Sequence, residues 1–235
     1  DALTTGSDNV AIGANALSTE DTGGRNVAVG RGTLQNQNVD SSAYNVAIGY
    51  EAGNDITTGV NNVIMGGLAG DALTTGAYNI AIGYQALSSE DTGSVSIGIG
   101  YYALQAQNNA SNNYNIAIGH SAGAAITSGT QNTLIGGLAG TALTIGNSNV
   151  AMGMQALSTS VDGDYNTAIG YRALQDYEDG DGNGHNTAVG GDSQLNASTG
   201  EFNTSLGSMS IGSGVTTGDY NIAIGYQAGA VLTSG

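Results

Sequence analysis

An all-β fold, a parallel β-solenoid of about thirteen coils, is predicted by three observations on this sequence. A phrase Asn-x-Ala-x-Gly, with a branched residue at the first x and an apolar residue at the second, recurs thirteen times. Successive phrases start 17 residues apart, with exceptions of 18, 19, 19 and 20. The closing Gly is kept in all thirteen copies, and the chain has no proline to interrupt a strand ladder. A fixed period in this range marks stacked units, each burying its apolar face only against its neighbours.

The phrase itself is the first element of each coil. It opens at Asn9, Asn26, Asn45, Asn62, Asn79, Ser96, Asn115, Asn132, Asn149, Asn166, Asn186, Asn203 and Asn221. In an extended strand Val10 and Ile12 point to one face and Ala11 to the other. The branched pair is expected to be buried, and the small face to lie against another layer or chain. The repeated asparagines are read as a structural ladder, their amides bonding to one another and to turn backbone from coil to coil.

Gly13 and its equivalents end the strand at a corner where a Cβ is excluded. A second short segment follows, with a small residue such as Ala16, Ala52, Ala86, Ala122, Ala156 or Ala228. The tail usually carries a further Gly, as at Gly23, Gly59, Gly76, Gly93, Gly129 and Gly146, so two extended segments and two Gly-marked turns make one coil.

The coils come in two kinds. In one, Leu follows the small residue, as at Leu17, Leu34, Leu87, Leu104, Leu157 and Leu174. In the other, Gly stands there and the large apolar residue comes three places later, at Ile56, Leu73, Ile126, Leu143 and Leu232. Two of the first kind precede two of the second, giving a 70-residue super-repeat from residues 9, 79 and 149 within a single array over 1–235. Such alternation avoids stacking identical bulk at every level. Ser193 and Ser210 replace the small Ala late in the chain. The second coil of each super-repeat has the longer tail, and the tails around Asp40, Asn109 and Asp179 are expected to be exposed. Because the array has no capping segment at either end, it is expected to be a window of a longer protein.

Composition excludes several function classes. The formal net charge is −16 with only three Lys and Arg together, so a nucleic-acid backbone or an anionic membrane surface finds no basic patch. There is no cysteine, hence no disulfide or thiolate metal site, and no apolar run reaches the length of a membrane span. Glu20/Asp21 and Glu90/Asp91 recur 70 residues apart and read as repeat surface rather than a catalytic pair. A polysaccharide-degrading, tailspike-like enzyme is the alternative that these pairs would have to serve, and no enzyme is expected. The threonines of Thr4-Thr5, Thr57-Thr58, Thr74-Thr75 and Thr216-Thr217 sit in turns, which speaks against a flat ice-binding array.

Two sets of residues carry the remaining site expectations. Asp179, Asp181 and Asn183, followed by Gly184, match the first half of an oxygen-ligand calcium loop, although Gly190 stands where the bidentate Glu is needed. Calcium is therefore the one cofactor to consider. Tyrosines bracket the strand as Tyr44/Tyr50, Tyr78/Tyr84, Tyr165/Tyr171 and Tyr220/Tyr226, an aromatic surface available for contact or for covering the coil's corners. His120 and His185 occupy tyrosine positions.

NVAIGYEAG, NIAIGYQAL and NIAIGHSAG resemble the head repeats of trimeric autotransporter adhesins and, equally, the repeat arrays of phage tail-fibre proteins. The resemblance covers essentially the whole chain. It implies a left-handed parallel β-roll, three chains side by side, and display outside a cell or on a virion. The coil is longer than the adhesin one and closer to the fibre arrays. A thin coil with a small-residue face also predicts a homo-oligomer, with three chains favoured. The function expected is a structural or adhesive fibre segment, with a cell-surface glycan or protein receptor as partner and avidity supplied by repetition.

Overall fold

A computed structural model describes residues 4–177, 184–211 and 217–232. The chain divides into two compact units, Asp1–Tyr114 and Asn115–Gly235. The strands of the first are Val10–Ile12 (β1), Val27–Val29 (β2), Val46–Ile48 (β3), Val63–Met65 (β4), Ile80–Ile82 (β5) and Ile97–Ile99 (β6). Those of the second are Ile116–Ile118 (β7), Thr133–Ile135 (β8), Val150–Met152 (β9), Thr167–Ile169 (β10), Thr187–Val189 (β11), Thr204–Leu206 (β12) and Ile222–Ile224 (β13). Within each unit every strand pairs in parallel with its neighbour in sequence, like position on like position, so both units are stacks of β-solenoid coils.

The asparagine ladder holds these short strands in register. In the second unit the Oδ1 of Asn115 accepts the Asn132 N–H at 2.9 Å, and the Oδ1 of Asn132 accepts the Asn149 N–H at 3.0 Å. Each Nδ2 also donates across its own coil to the turn that closes it, Asn115 to the Gly129 carbonyl at 2.7 Å and Asn132 to Gly146 at 2.9 Å. One side chain thus ties the start of a coil both to its end and to the next coil. The first unit repeats the pattern, for example from Asn45 to Asn62 and to Gly59.

The expected burial of the branched pair is reversed. The central residue of the strand is the one inside: Ala28, Ala47, Ala81, Ala117, Ala151, Ala168 and Ala188 have no exposed surface. Val10 is 46% exposed and Ile12 60%, and their equivalents are exposed or half-buried. The reason is volume. The coil is too thin for two branched side chains from the strand to meet the leucines that enter from the opposite wall.

Those leucines explain the two kinds of coil. Counting from the Asn, position +8 has positive φ in both kinds: Leu34 at 48°, Leu87 at 52° and Leu174 at 53°, against Gly53 at 58° and Gly70 at 49°. Leu accepts that left-handed backbone, ordinarily unfavourable for a side chain, and fills the interior. Where Gly takes the place, the space goes elsewhere. A Cβ on Gly140 would lie 2.9 Å from Leu134 Cδ2, and one on Gly53 3.0 Å from Ile64 Cδ1. Leu134 and Ile64 are the enlarged central residues of β8 and β4, and Ile56, Leu73, Ile126 and Leu143 complete the apolar interior from position +11.

Position +11 also corrects the reading of the acidic pairs as surface for their glutamates, while Asp91 is exposed and Asp21 half-buried. In the Leu-type coils this position holds Glu20, Gln37, Glu90, Gln107, Ser160 and Tyr177, all wholly buried. The Glu90 carboxylate accepts from the Gly93 N–H at 2.8 Å, Gln107 Nε2 at 2.8 Å and Asn113 Nδ2 at 3.1 Å. Glu20 is held alike by Gly23 N–H at 2.7 Å and Gln37 Nε2 at 2.9 Å. Desolvation raises the Glu90 pKa above the ordinary glutamate value, and the donated bonds lower it only in part. The folded state therefore binds its proton more tightly than the unfolded state, so this group's contribution to stability falls as pH rises from the ordinary glutamate value through the raised one. Glu90→Gln should gain stability relative to the parent across that window, by urea unfolding at pH 4 and pH 8. An equal difference at both pH values would contradict the charged, buried state.

Candidate interaction surface

With the central residue of each strand turned inward, the residues on either side of it face out and form two parallel rows. In the first unit one row is Val27, Val46, Val63, Ile80 and Ile97, and the other is Val29, Ile48, Met65, Ile82 and Ile99. All are half-buried or exposed, Ile48 at 36% and Met65 at 38%. These ten apolar side chains, two on each of five successive strands, form a face without charge. In the second unit the first row becomes mixed, with Thr133, Thr167, Thr187 and Thr204 beside Ile116, Val150 and Ile222, while the second row stays apolar. Four threonines thus stand on strands as well as in turns, but without a threonine row beside them.

Aromatic rows border this face. The residue before the Asn has left-handed backbone, as at Tyr44 (φ 55°), Tyr78 (60°), Tyr165 (56°) and Tyr220 (59°). Axial bonds hold it there, Tyr78 N–H to the Val60 carbonyl at 3.1 Å and Tyr165 N–H to Asn147 at 3.0 Å. The chain thereby turns into the strand and leaves the ring at the corner, Tyr44 at 49% and Tyr78 at 61% exposure. Tyr50, Tyr84, Tyr171 and Tyr226, after the closing Gly, are also exposed.

The rings spend much of their faces on one another. Tyr165, His185, Phe202 and Tyr220 form one continuous stack with centroids 4.8, 4.9 and 5.1 Å apart and planes within 8° of parallel. Tyr84 stacks on Tyr101 at 5.6 Å. Arg25 lies 5.5 Å over the Tyr44 ring and donates to its hydroxyl at 2.6 Å, while Arg31 does the same at Tyr50, at 5.5 and 3.1 Å. Stacking at the axial spacing of a parallel sheet presents ring edges and hydroxyls outward rather than open faces. At the stacked rings a partner would meet tyrosine hydroxyls and ring edges more readily than an open aromatic plane.

Within each unit the structure therefore places the tyrosine positions along the borders of the sheet face, and it places the asparagines inside as bonding groups. Sequence reasoning overlooked Phe202 as a member of the aromatic row, although it directly precedes Asn203 as Tyr165 precedes Asn166. It also overlooked the outward strand rows, whose only signal was their apolar character. Asp179, Asp181 and Asn183 lie outside the described residues. No protein-family model matches the chain, and no match to a curated protein or a solved structure is found.

Proposed function

We propose that this chain is a non-catalytic segment of an extracellular or virion-borne fibre, in which copies associate through the outward sheet face and display the aromatic borders and long tails repeatedly. The observation that carries the reading is the pair of apolar rows on β2–β6. Leaving branched side chains half in water forgoes part of the roughly 1.5–3 kcal/mol that full burial of each supplies. A partner covering them row on row needs the same axial repeat, and a second copy of this chain has it. The tail loops and ring edges, repeated along a stiff stack, suit weak multivalent contact with a cell-surface glycan or protein. Three copies around a common axis agree with the repeat resemblance.

Sedimentation of the purified chain tests the association. The parent should be a trimer at micromolar concentration. Ile48→Asp/Ile82→Asp, which alters only outward positions, should sediment as a monomer with unchanged β-sheet circular dichroism. A parent that is a well-folded monomer, or a variant that still assembles, would refute association through this face. Surface labelling of intact cells or virions tests display separately.

A further inference from the structure

We propose that Asn109 is an acceptor for N-linked glycosylation, presented by the long tail of the second super-repeat. The chain contains three Asn-x-Ser/Thr tripeptides without proline: Asn109-Ala110-Ser111, Asn196-Ala197-Ser198 and Asn203-Thr204-Ser205. The motif alone is weak evidence in a chain so rich in these residues. The fold separates the three.

Asn203 is wholly buried in the ladder. Its Nδ2 donates to the Gly218 carbonyl at 2.9 Å and its Oδ1 accepts the Asn221 N–H at 2.8 Å. Ser205 is buried as well, 2.6 Å from Ser193 Oγ. Asn196 is followed by Ala197, which occupies interior position +11 with no exposed surface. Drawing either tripeptide into a transferase would dismantle a coil.

Asn109 stands differently. Asn109 is itself half-buried, but Asn108, Ala110, Ser111 and Asn112 around it are exposed, and the tail lies outside both outward strand rows. Ser111 N–H donates to the Asn109 carbonyl at 2.8 Å, closing a tight turn. Ser111 Oγ donates to Asn109 Oδ1 at 3.1 Å, so the tripeptide's hydroxyl and amide already lie together in the folded turn. Below the turn, the buried Glu90 carboxylate receives the Asn109 backbone N–H and Asn113 Nδ2. The loop is thus anchored from inside while its apex stays open. A bulky glycan belongs on such a surface turn.

In the reaction the Asn109 amide nitrogen bonds to the anomeric carbon of a sugar activated as a diphosphate ester. The bond from that carbon to the diphosphate oxygen breaks with its electron pair, and the amide proton passes to a base of the transferase. The inference rests on the surface-displayed reading for the encounter with such a transferase, but the site is testable apart from it.

The purified, folded chain would be incubated with a soluble sequon-dependent N-glycosyltransferase and a nucleoside-diphosphate glucose, then mapped by peptide mass spectrometry. Hexose is expected on Asn109 and absent from Asn196 and Asn203. Urea-unfolded chain should accept it at all three. Ser111→Ala should lose the modification and Ser111→Thr keep it. A synthetic peptide spanning residues 105–114 controls for the sequence itself. The proposal is overturned if the peptide is not modified, if the peptide is modified and the folded chain is not, or if folded chain is modified at Asn203. Failure of surface labelling would strike the fibre reading and leave the Asn109 result standing.

Discussion

Asn132→Ala is expected to destabilise the second unit by on the order of 4 kcal/mol, since each buried group left unpaired costs about 1–3 kcal/mol. The substitution removes the acceptor of the Asn149 N–H and of Asn149 Nδ2, at 3.0 and 3.1 Å, and the donor to the Gly146 carbonyl, at 2.9 Å. All of these groups are shut away from water with Asn132 itself, which has no exposed surface. Asn132→Ser should recover little of this, because Ser96, which holds the same position in the first unit, is partnered by Gln107 where the Asn132 coil has Leu143. The Ser96 N–H reaches Asn79 Oδ1 at 2.9 Å and its Oγ accepts from Gln107 Nε2 at 2.9 Å. Urea unfolding at fixed protein concentration, with unchanged m-value, measures both. Equal stability of the alanine variant and the parent would show that the ladder is ornamental.

Gly136→Ala is expected to cost as much or more, for a steric reason. Gly136 has φ +134°, and a Cβ there would lie 2.5 Å from the Gly153 carbonyl oxygen and 2.6 Å from its carbon. Both are backbone atoms of the next coil, so no side-chain adjustment relieves the clash. The strand ends would have to part, breaking the Gly136 N–H bond to Ile118 and the Gly153 N–H bond to Ile135, both 2.8 Å. Gly137→Ala, one residue on, is the control: nothing lies within 4 Å of its added Cβ. It should stay within about 0.5 kcal/mol of the parent, as exposed substitutions do. Thermal unfolding of the two variants side by side gives the answer, and similar losses from both would mean that backbone entropy, not crowding, sets the cost.

The position of every strand was legible, because each begins one residue after the repeated Asn or Ser96 and ends before the closing Gly. Which face of the strand goes inward was not. Val10-Ala11-Ile12 reads as bulky-in by hydrophobicity, and only the leucines arriving from position +8 reverse it. Their arrival depends on left-handed backbone at Leu34 or Leu87, which nothing in a leucine signals. The exchange of Leu for Gly at that position was the trace of it, since Gly suits the same φ. The burial of Glu20 and Glu90 was readable in principle by aligning them with Ile56 and Leu73 at position +11. Their acidity suggested solvent instead. Among the candidate site residues, the tyrosines' shared border followed from their spacing around the strand, whereas their stacking depends on which ring the next coil places at the same corner, as His185 and Phe202 do between Tyr165 and Tyr220.

The interlocking of Leu34, Gly53, Ile64 and Gly70 bears on how such a chain can lengthen. A Cβ on Gly53 would meet Ile64 Cδ1 at 3.0 Å, Ile56 Cδ1 at 3.1 Å and Leu34 Cδ2 at 3.2 Å, side chains from three successive coils. Each coil is shaped to the one before and the one after, as Gly53 is to Leu34 and Ile64, so a coil copied alone would stand beside neighbours other than those it fits. Copying four coils reproduces every junction. The block that can be copied without revising one interior residue is therefore the 70-residue one, and a solenoid of this kind can lengthen by unequal exchange of whole blocks.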